Sequence, residues 1–194
     1  MRRLLSRAGV AGLLLSVFTS ATVANAGGAS AAQGSPSEGY EVRLGGFAHG
    51  VGSSESGSAD INAELIFAKP WSTPDPATNW LLPRPHIGAM INTNGKTSYV
   101  YAGALWTYDF TNRIFAETFL GGALHDGSLN GSPGHAALGC DPLFHVGGSL
   151  GYRVAPRWSV MFTFDHISDG NAVLHACAHN VGLNEYGIRL GYSF

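Results

Sequence analysis

The chain of 194 residues carries 11 Lys and Arg against 13 Asp and Glu, is only 12% charged, and contains 27 glycines and 45% hydrophobic residues. It lacks the basic surplus of a nucleic-acid binder, and beyond residue 26 no run approaches the roughly 18 consecutive apolar residues of a transmembrane helix. Low charge, many aromatics and many glycines without a long apolar run point instead to strands.

The first segment reads as an export address. Arg2, Arg3 and Arg7 form a positive start, Val10 to Val17 a short apolar core, and Ala24-Asn25-Ala26 supplies the small residues of a cleavage site. Residues 1–26 are therefore expected to be a signal peptide, with Ala32 as the alternative cleavage point. Residues 27–38, rich in Gly, Ser and Ala, have little to bury and read as a flexible lead-in. Without the three leading arginines, eight basic side chains face 13 acidic ones.

Residues 39–194 then alternate along strand after strand. Tyr40, Val42 and Leu44 oppose Glu41 and Arg43; Ile61, Ala63, Leu65 and Phe67 oppose Asn62 and Glu64. Three further strands are expected at about 83–92, 97–109 and 113–124, with Asn94-Gly95 marking a tight hairpin. Phe144, Val146, Leu150 and Tyr152 oppose His145, Ser149 and Arg153. Trp158, Val160, Phe162 and Phe164 oppose Ser159, Thr163 and Asp165. At the end, Tyr186, Ile188, Leu190, Tyr192 and Phe194 oppose Glu185, Gly187, Arg189, Gly191 and Ser193. Period two means one greasy face and one polar face.

Eight such strands predict an all-β fold, an eight-stranded antiparallel transmembrane β-barrel. Short turns at Asp109–Arg113 and Ala155–Arg157 belong on the periplasmic side, and the long segments His125–Asp141 and Asp169–Gly182 on the extracellular side. The Pro-rich connection Lys69–Leu82 breaks that rule, being long and periplasmic, and nothing in the sequence explains it. Glu41, Arg43, Asn62, Glu64, Glu117, Arg153 and Arg189 are expected to fill the narrow interior and pair there, leaving no pore.

Cys140 and Cys177 fall in the two long outer loops, where an oxidising compartment favours one disulfide. A zinc cluster of these cysteines with His135, His175 and His179 is the weaker reading, because the spacings are irregular. No metal or cofactor is expected.

His166 and Ser168 lie two apart, on the face of Phe162 and Phe164, which is the lipid face. A base beside a hydroxyl at the outer end of a strand, facing lipid, suggests ester hydrolysis by an activated serine. Asn184 has the same parity on the next strand and can orient the imidazole. Glu185 is the stronger electrostatic partner but points inward unless a bulge reverses it.

With these residues in view, the chain resembles the outer-membrane lipid A 3-O-deacylases of PagL type, also known as acyloxyacyl hydrolases. The likeness rests on His166-Ile167-Ser168, on His49-Gly50-Val51-Gly52-Ser53-Ser54-Glu55 with Asp60-Ile61-Asn62-Ala63-Glu64, and on Asn180 to Phe194. It implies an eight-stranded outer-membrane barrel acting without a metal on lipid A of lipopolysaccharide, with no nucleic-acid partner. It also implies removal of the acyl chain ester-linked at the 3 position. Two positions depart from the family: Asp169 stands where Asn usually follows the serine, and Asn184 stands at the family's acid, with Glu185 one step later. An oxyanion hole is expected from Asp169, Gly170 and Asn171, although a carboxylate aimed at a developing oxyanion would repel it. The alternative reading is a barrel of the same fold with weakened or absent chemistry and a structural or interaction role.

Overall fold

A computed structural model describes residues 39–170, 177 and 181–194. The expected signal peptide and lead-in, and with them Asn171, His175 and His179, lie outside the described residues. Eight strands run antiparallel, each paired with the next: β1 (Glu41–Ala48), β2 (Ala59–Ile66), β3 (Arg84–Asn92), β4 (Tyr99–Asp109), β5 (Ile114–His125), β6 (Leu143–Ala155), β7 (Trp158–Ser168) and β8 (Leu183–Ser193). β8 pairs back onto β1, from Glu41 opposite Ser193 to Ala48 opposite Tyr186, and the barrel closes. A single turn of helix, α1 (Pro76–Asn79), sits between β2 and β3.

The strands form because their alternation suits a sheet with lipid on one side and a packed lumen on the other. On β8, Tyr186, Ile188 and Leu190 are exposed while Glu185 and Arg189 are fully buried; Leu44, Ile61, Leu120, Leu150 and Phe162 are exposed on other strands. Such an inside-out surface would aggregate in water and is stable only against hydrocarbon. The barrel is therefore transmembrane.

Inside, the charges neutralise one another. Arg43 donates to Glu41 (2.8 Å) and to Glu117 (2.7 Å), and Arg189 donates to Asn62 (2.8 Å) and Asp165 (3.1 Å). His86 donates to Glu64 at 2.8 Å. The His145 ring stacks on Tyr101 (4.1 Å) and Phe119 (4.9 Å). Gly147 makes room for this packing, since a methyl group there would run into the Phe119 ring. An eight-stranded barrel is just narrow enough for side chains to fill. Arg153 also turns inward, over the Phe115 ring at 4.6 Å, but pairs at the mouth of the barrel with Asp109 (2.6 Å) rather than with the other interior charges.

Connections 110–113 and 156–157 are short and share the lower rim with the start of β1, the end of β8 and the long connection 67–83. The upper rim carries 49–58, 93–98, 126–142 and 169–182. The expected tight hairpin at Asn94-Gly95 is instead a six-residue connection. Asn92 Oδ1 accepts from the Asn94 and Lys96 amides, both at 2.9 Å, and the Thr97 amide turns away to Glu55 rather than to the ladder.

Candidate active site

The upper ends of β7 and β8 bring the proposed chemistry together on the outer surface. Along β7, Met161, Thr163, Asp165 and Ile167 are buried, while Phe162 is exposed and Phe164, His166 and Ser168 are half-buried. His166 lies opposite Asn184 in the ladder, and its Nδ1 is 2.7 Å from Asn184 Oδ1. An amide oxygen only accepts, so Nδ1 carries the proton and Nε2 keeps a basic lone pair. Gly182 packs closely against both His166 and Ser168. A methyl group at Gly182 would come within 3.0 Å of His166 Cε1 and 3.4 Å of Ser168 Cβ, and Gly182 holds φ at +64°. The surroundings are apolar: Val146 and Phe144 lie opposite His166 and Ser168 on β6, and Phe164 stacks near His166 and packs on Tyr186 at 5.0 Å.

One expected member does not reach this face. Glu185, the alternative partner of the histidine, is fully buried in the lumen, where the Tyr99 hydroxyl lies 2.5 Å from its Oε2 and 2.9 Å from Asp165 Oδ1. No bulge interrupts the β7–β8 ladder from Ile167 to Trp158, so strict pleating keeps Glu185 turned away from His166. Asp169, directly after Ser168, is buried. Gly170, at φ 67°, turns the chain where β7 ends.

Sequence reasoning gave no role to the group that holds the upper rim together. Glu55, in connection 49–58, accepts from His49 Nε2 (2.9 Å), the Thr97 amide (2.8 Å), the Thr97 hydroxyl (2.9 Å) and the Ala136 amide (2.9 Å). One carboxylate thus fastens three of the four upper connections. The Val51 amide donates to the Asn184 carbonyl at 2.8 Å, and the Val181 amide to the Ala137 carbonyl at 2.9 Å. Cys140 and Cys177 form a disulfide between connections 126–142 and 169–182. The signal was the pair His49 and Glu55 in a short polar stretch, but their partners lie too far along the chain to be guessed.

His49, Asp60 and Glu185 place donor atoms within 4.8 Å of one another, an arrangement a divalent cation could use. Both His49 nitrogens are, however, already hydrogen-bonded to carboxylates, to Asp60 at 2.8 Å and to Glu55 at 2.9 Å. A protonated imidazole caged by acids accounts for that geometry. Burial alone would push His49 down, but the bonds to Asp60 and Glu55 outweigh it and raise its pKa to about 9. Burial would likewise raise Glu55, yet His49 and the Thr97 and Ala136 amides hold it down at about 2.

Comparison with known proteins agrees with the architecture. The crystal structure of the outer membrane enzyme PagL is similar at a TM-score of 0.62 with 19% identity, covering 79% of this chain and 99% of that one. A structure from the de novo design of transmembrane β-barrels is similar at 0.51 with 13% identity, covering 81% of this chain and 96% of that one. Both likenesses concern the fold alone. No curated protein matches the chain. A family model described as lipid A 3-O-deacylase (PagL) matches residues 60–193, more than half of the length, and the chain therefore belongs to the lipid A 3-O-deacylase family.

Proposed function

We propose that this protein is exported by residues 1–26, folds from residue 39 onward as a barrel in the outer membrane, and hydrolyses the acyl ester at the 3 position of lipid A. Ser168 Oγ attacks the ester carbonyl while His166 Nε2 takes its proton. The C–O bond to the sugar breaks, and the proton returns from His166 to the departing sugar oxygen. Water then attacks the acyl-serine with His166 again as base, releasing a free fatty acid. Asn184 keeps the imidazole in the tautomer this needs. Backbone amides near Asp169 and Gly170, together with Asn171, would receive the developing oxyanion.

The observation that carries this reading is the 2.7 Å contact from His166 Nδ1 to Asn184 Oδ1 on the lipid face, beside Ser168 and above an apolar strip. A soluble substrate would have no reason to meet that face. A membrane lipid in the outer leaflet reaches it laterally, its acyl chains lying along Phe162, Phe164 and Tyr186.

The test is mass spectrometry of lipid A from cells expressing the protein, with Ser168→Ala as control and folding checked by heat-shifted electrophoretic mobility. Loss of one ester-linked hydroxyacyl chain, absent with Ser168→Ala, is the expected result. Unchanged lipid A with folded protein in the outer membrane overturns it and leaves the barrel a structural or interaction protein.

A further inference from the structure

The connection between β2 and β3 spans residues 67–83, whereas the other two lower connections span 110–113 and 156–157. A loop this long on the short-turn side is unusual unless it has work to do. It does not hang free below the barrel. Trp106 Nε1 donates to the Leu81 carbonyl at 2.8 Å, and the Trp80 ring lies 5.5 Å from Tyr108. Trp106 and Tyr108 share the parity of the exposed Ala102, so they stand on the outer wall of β4. The connection has therefore folded back up against the side of the barrel that faces lipid. Internal bonds hold it in that shape: Lys69 Nζ donates to the Asn79 carbonyl at 2.7 Å, and the Thr73 amide to Asn79 Oδ1 at 3.2 Å.

What this flap presents outward is apolar. Trp71 is 71% exposed, and Trp80 and Leu81 are about half exposed. Between residues 67 and 83 only Lys69 and Asp75 carry charge. The flap is also continuous with an aromatic ring around the lower rim, in which Trp158 packs on Tyr192, Tyr192 on Phe194, and Tyr40 on Phe67. All four tryptophans of the chain belong to this end, and none to the end that carries His166 and Ser168.

We propose that residues 71–82 are a membrane-binding element that seats Trp71, Trp80 and Leu81 in the headgroup–acyl boundary of the inner, periplasmic leaflet. A segment lying on the outer wall of a transmembrane barrel has to displace either lipid or water. Irregular backbone is not tolerated against the hydrocarbon core, which excludes a deeper position. Exposed indoles in water at this level would forfeit their burial, whereas the interface takes the ring on one side and the N–H on the other. The occupant of the flap's outer face is thus phospholipid, continuous with the lipid that covers β3 and β4. The placement is independent of any reaction at the opposite rim.

The experiment uses the full-length folded protein in phosphatidylcholine vesicles containing lipids brominated either near the carbonyls or near the chain ends. Tryptophan emission is compared among the unaltered protein, Trp71→Phe and Trp80→Phe, so that each difference reports one residue. Both residues are expected to emit at short wavelength, to be quenched at least twofold more by shallow than by deep bromines, and to resist aqueous iodide. Quenching by iodide with no effect of bromine would place the flap in the periplasmic water and overturn the proposal. Insensitivity to both quenchers would mean that a second protein copy covers it, which also overturns it. If either substitution impairs folding, Trp71→Tyr and Trp80→Tyr, which keep a polar tip on the ring, give the same difference comparison.

Discussion

Asn184→Asp is the most discriminating change at the proposed site. It replaces a neutral acceptor, 2.7 Å from His166 Nδ1, by a carboxylate of the same shape. A neutral hydrogen bond contributes about 0.5–1.5 kcal/mol and one to a charged group about 1.5–3 kcal/mol, so the change in the contact is on the order of 1–1.5 kcal/mol. That gain appears when the imidazole becomes charged in the transition state, and about 1.4 kcal/mol is tenfold in rate. Full Coulomb attraction at an effective dielectric near 20 would be about 4 kcal/mol at ~4 Å. His166 and Asn184 are only half-buried, however, so screening favours the smaller figure. Asn184→Asp is therefore expected to raise kcat/KM about tenfold on lipid A in mixed micelles, with the product counted by mass spectrometry at fixed pH. Asn184→Ala should lower it by about the same factor through loss of the bond and of tautomer control. If both variants fold and match the parent within about twofold, the contact plays no part in hydrolysis and the mechanism fails.

Three further outcomes follow from the upper rim. Glu55→Ala strands the Thr97 and Ala136 amides and the buried His49, and is expected to destabilise the barrel by roughly 3–5 kcal/mol in thermal unfolding in micelles; a loss under about 1 kcal/mol would show that the connections are held by other means. His49 faces Asp60, Glu55 and Glu185, and Glu55 faces His49 and the more distant His135. Raised from 6.5 to about 9, His49 contributes stability that is complete below pH 6.5 and lost as pH rises through 9; lowered from 4.5 to about 2, Glu55 contributes stability present above pH 4.5 and lost as pH falls through 2. The melting temperature should therefore peak between pH 4.5 and 6.5 and fall on the alkaline side, and a profile unchanged by His49→Gln would contradict the cage. Gly182→Ala should cut kcat far more than it raises KM, because the new methyl group presses on His166 Cε1 at 3.0 Å; an unaltered kcat would place the reacting atoms elsewhere.

The parts of this molecule that follow a local period were legible before any coordinates. Period-two alternation on β7 and β8 is dictated by pleating, so the outward placement of His166, Ser168 and Asn184 could be read from Phe162, Phe164 and Tyr186 alone. What failed was set by distant partners. The six-residue connection between β3 and β4 replaces a tight hairpin because Glu55, 42 residues before Thr97, takes the Thr97 amide out of the ladder. Glu55 itself gathers donors up to 81 residues away, and no spacing rule announces such a meeting. The four-residue α1 is too short to show a helical period, and the fold of 67–83 depends on the β4 wall it lies against.

Strict alternation on β7 and β8 also separates two demands that soluble hydrolases must meet in one cavity. The inward residues Asp165, Glu185 and Arg189 are locked in an ionic network whose loss would leave buried charges unpaired, so they are poorly free to vary. The outward residues between them touch one another on the outer wall, not the lumen network, and can change without disturbing it. Asn184 and Glu185 stand side by side in the chain but belong to these different regimes. A carboxylate one position too late is therefore useless to His166, however near it is in sequence, because a one-residue step crosses the barrel wall. By the same reasoning, an acid that is to meet His166 from β8 has to stand at position 184. An acid there would cost the fold little, since at the upper rim it would remain in contact with headgroups and water, which makes the outer face the part of this barrel where activity can be tuned independently of stability.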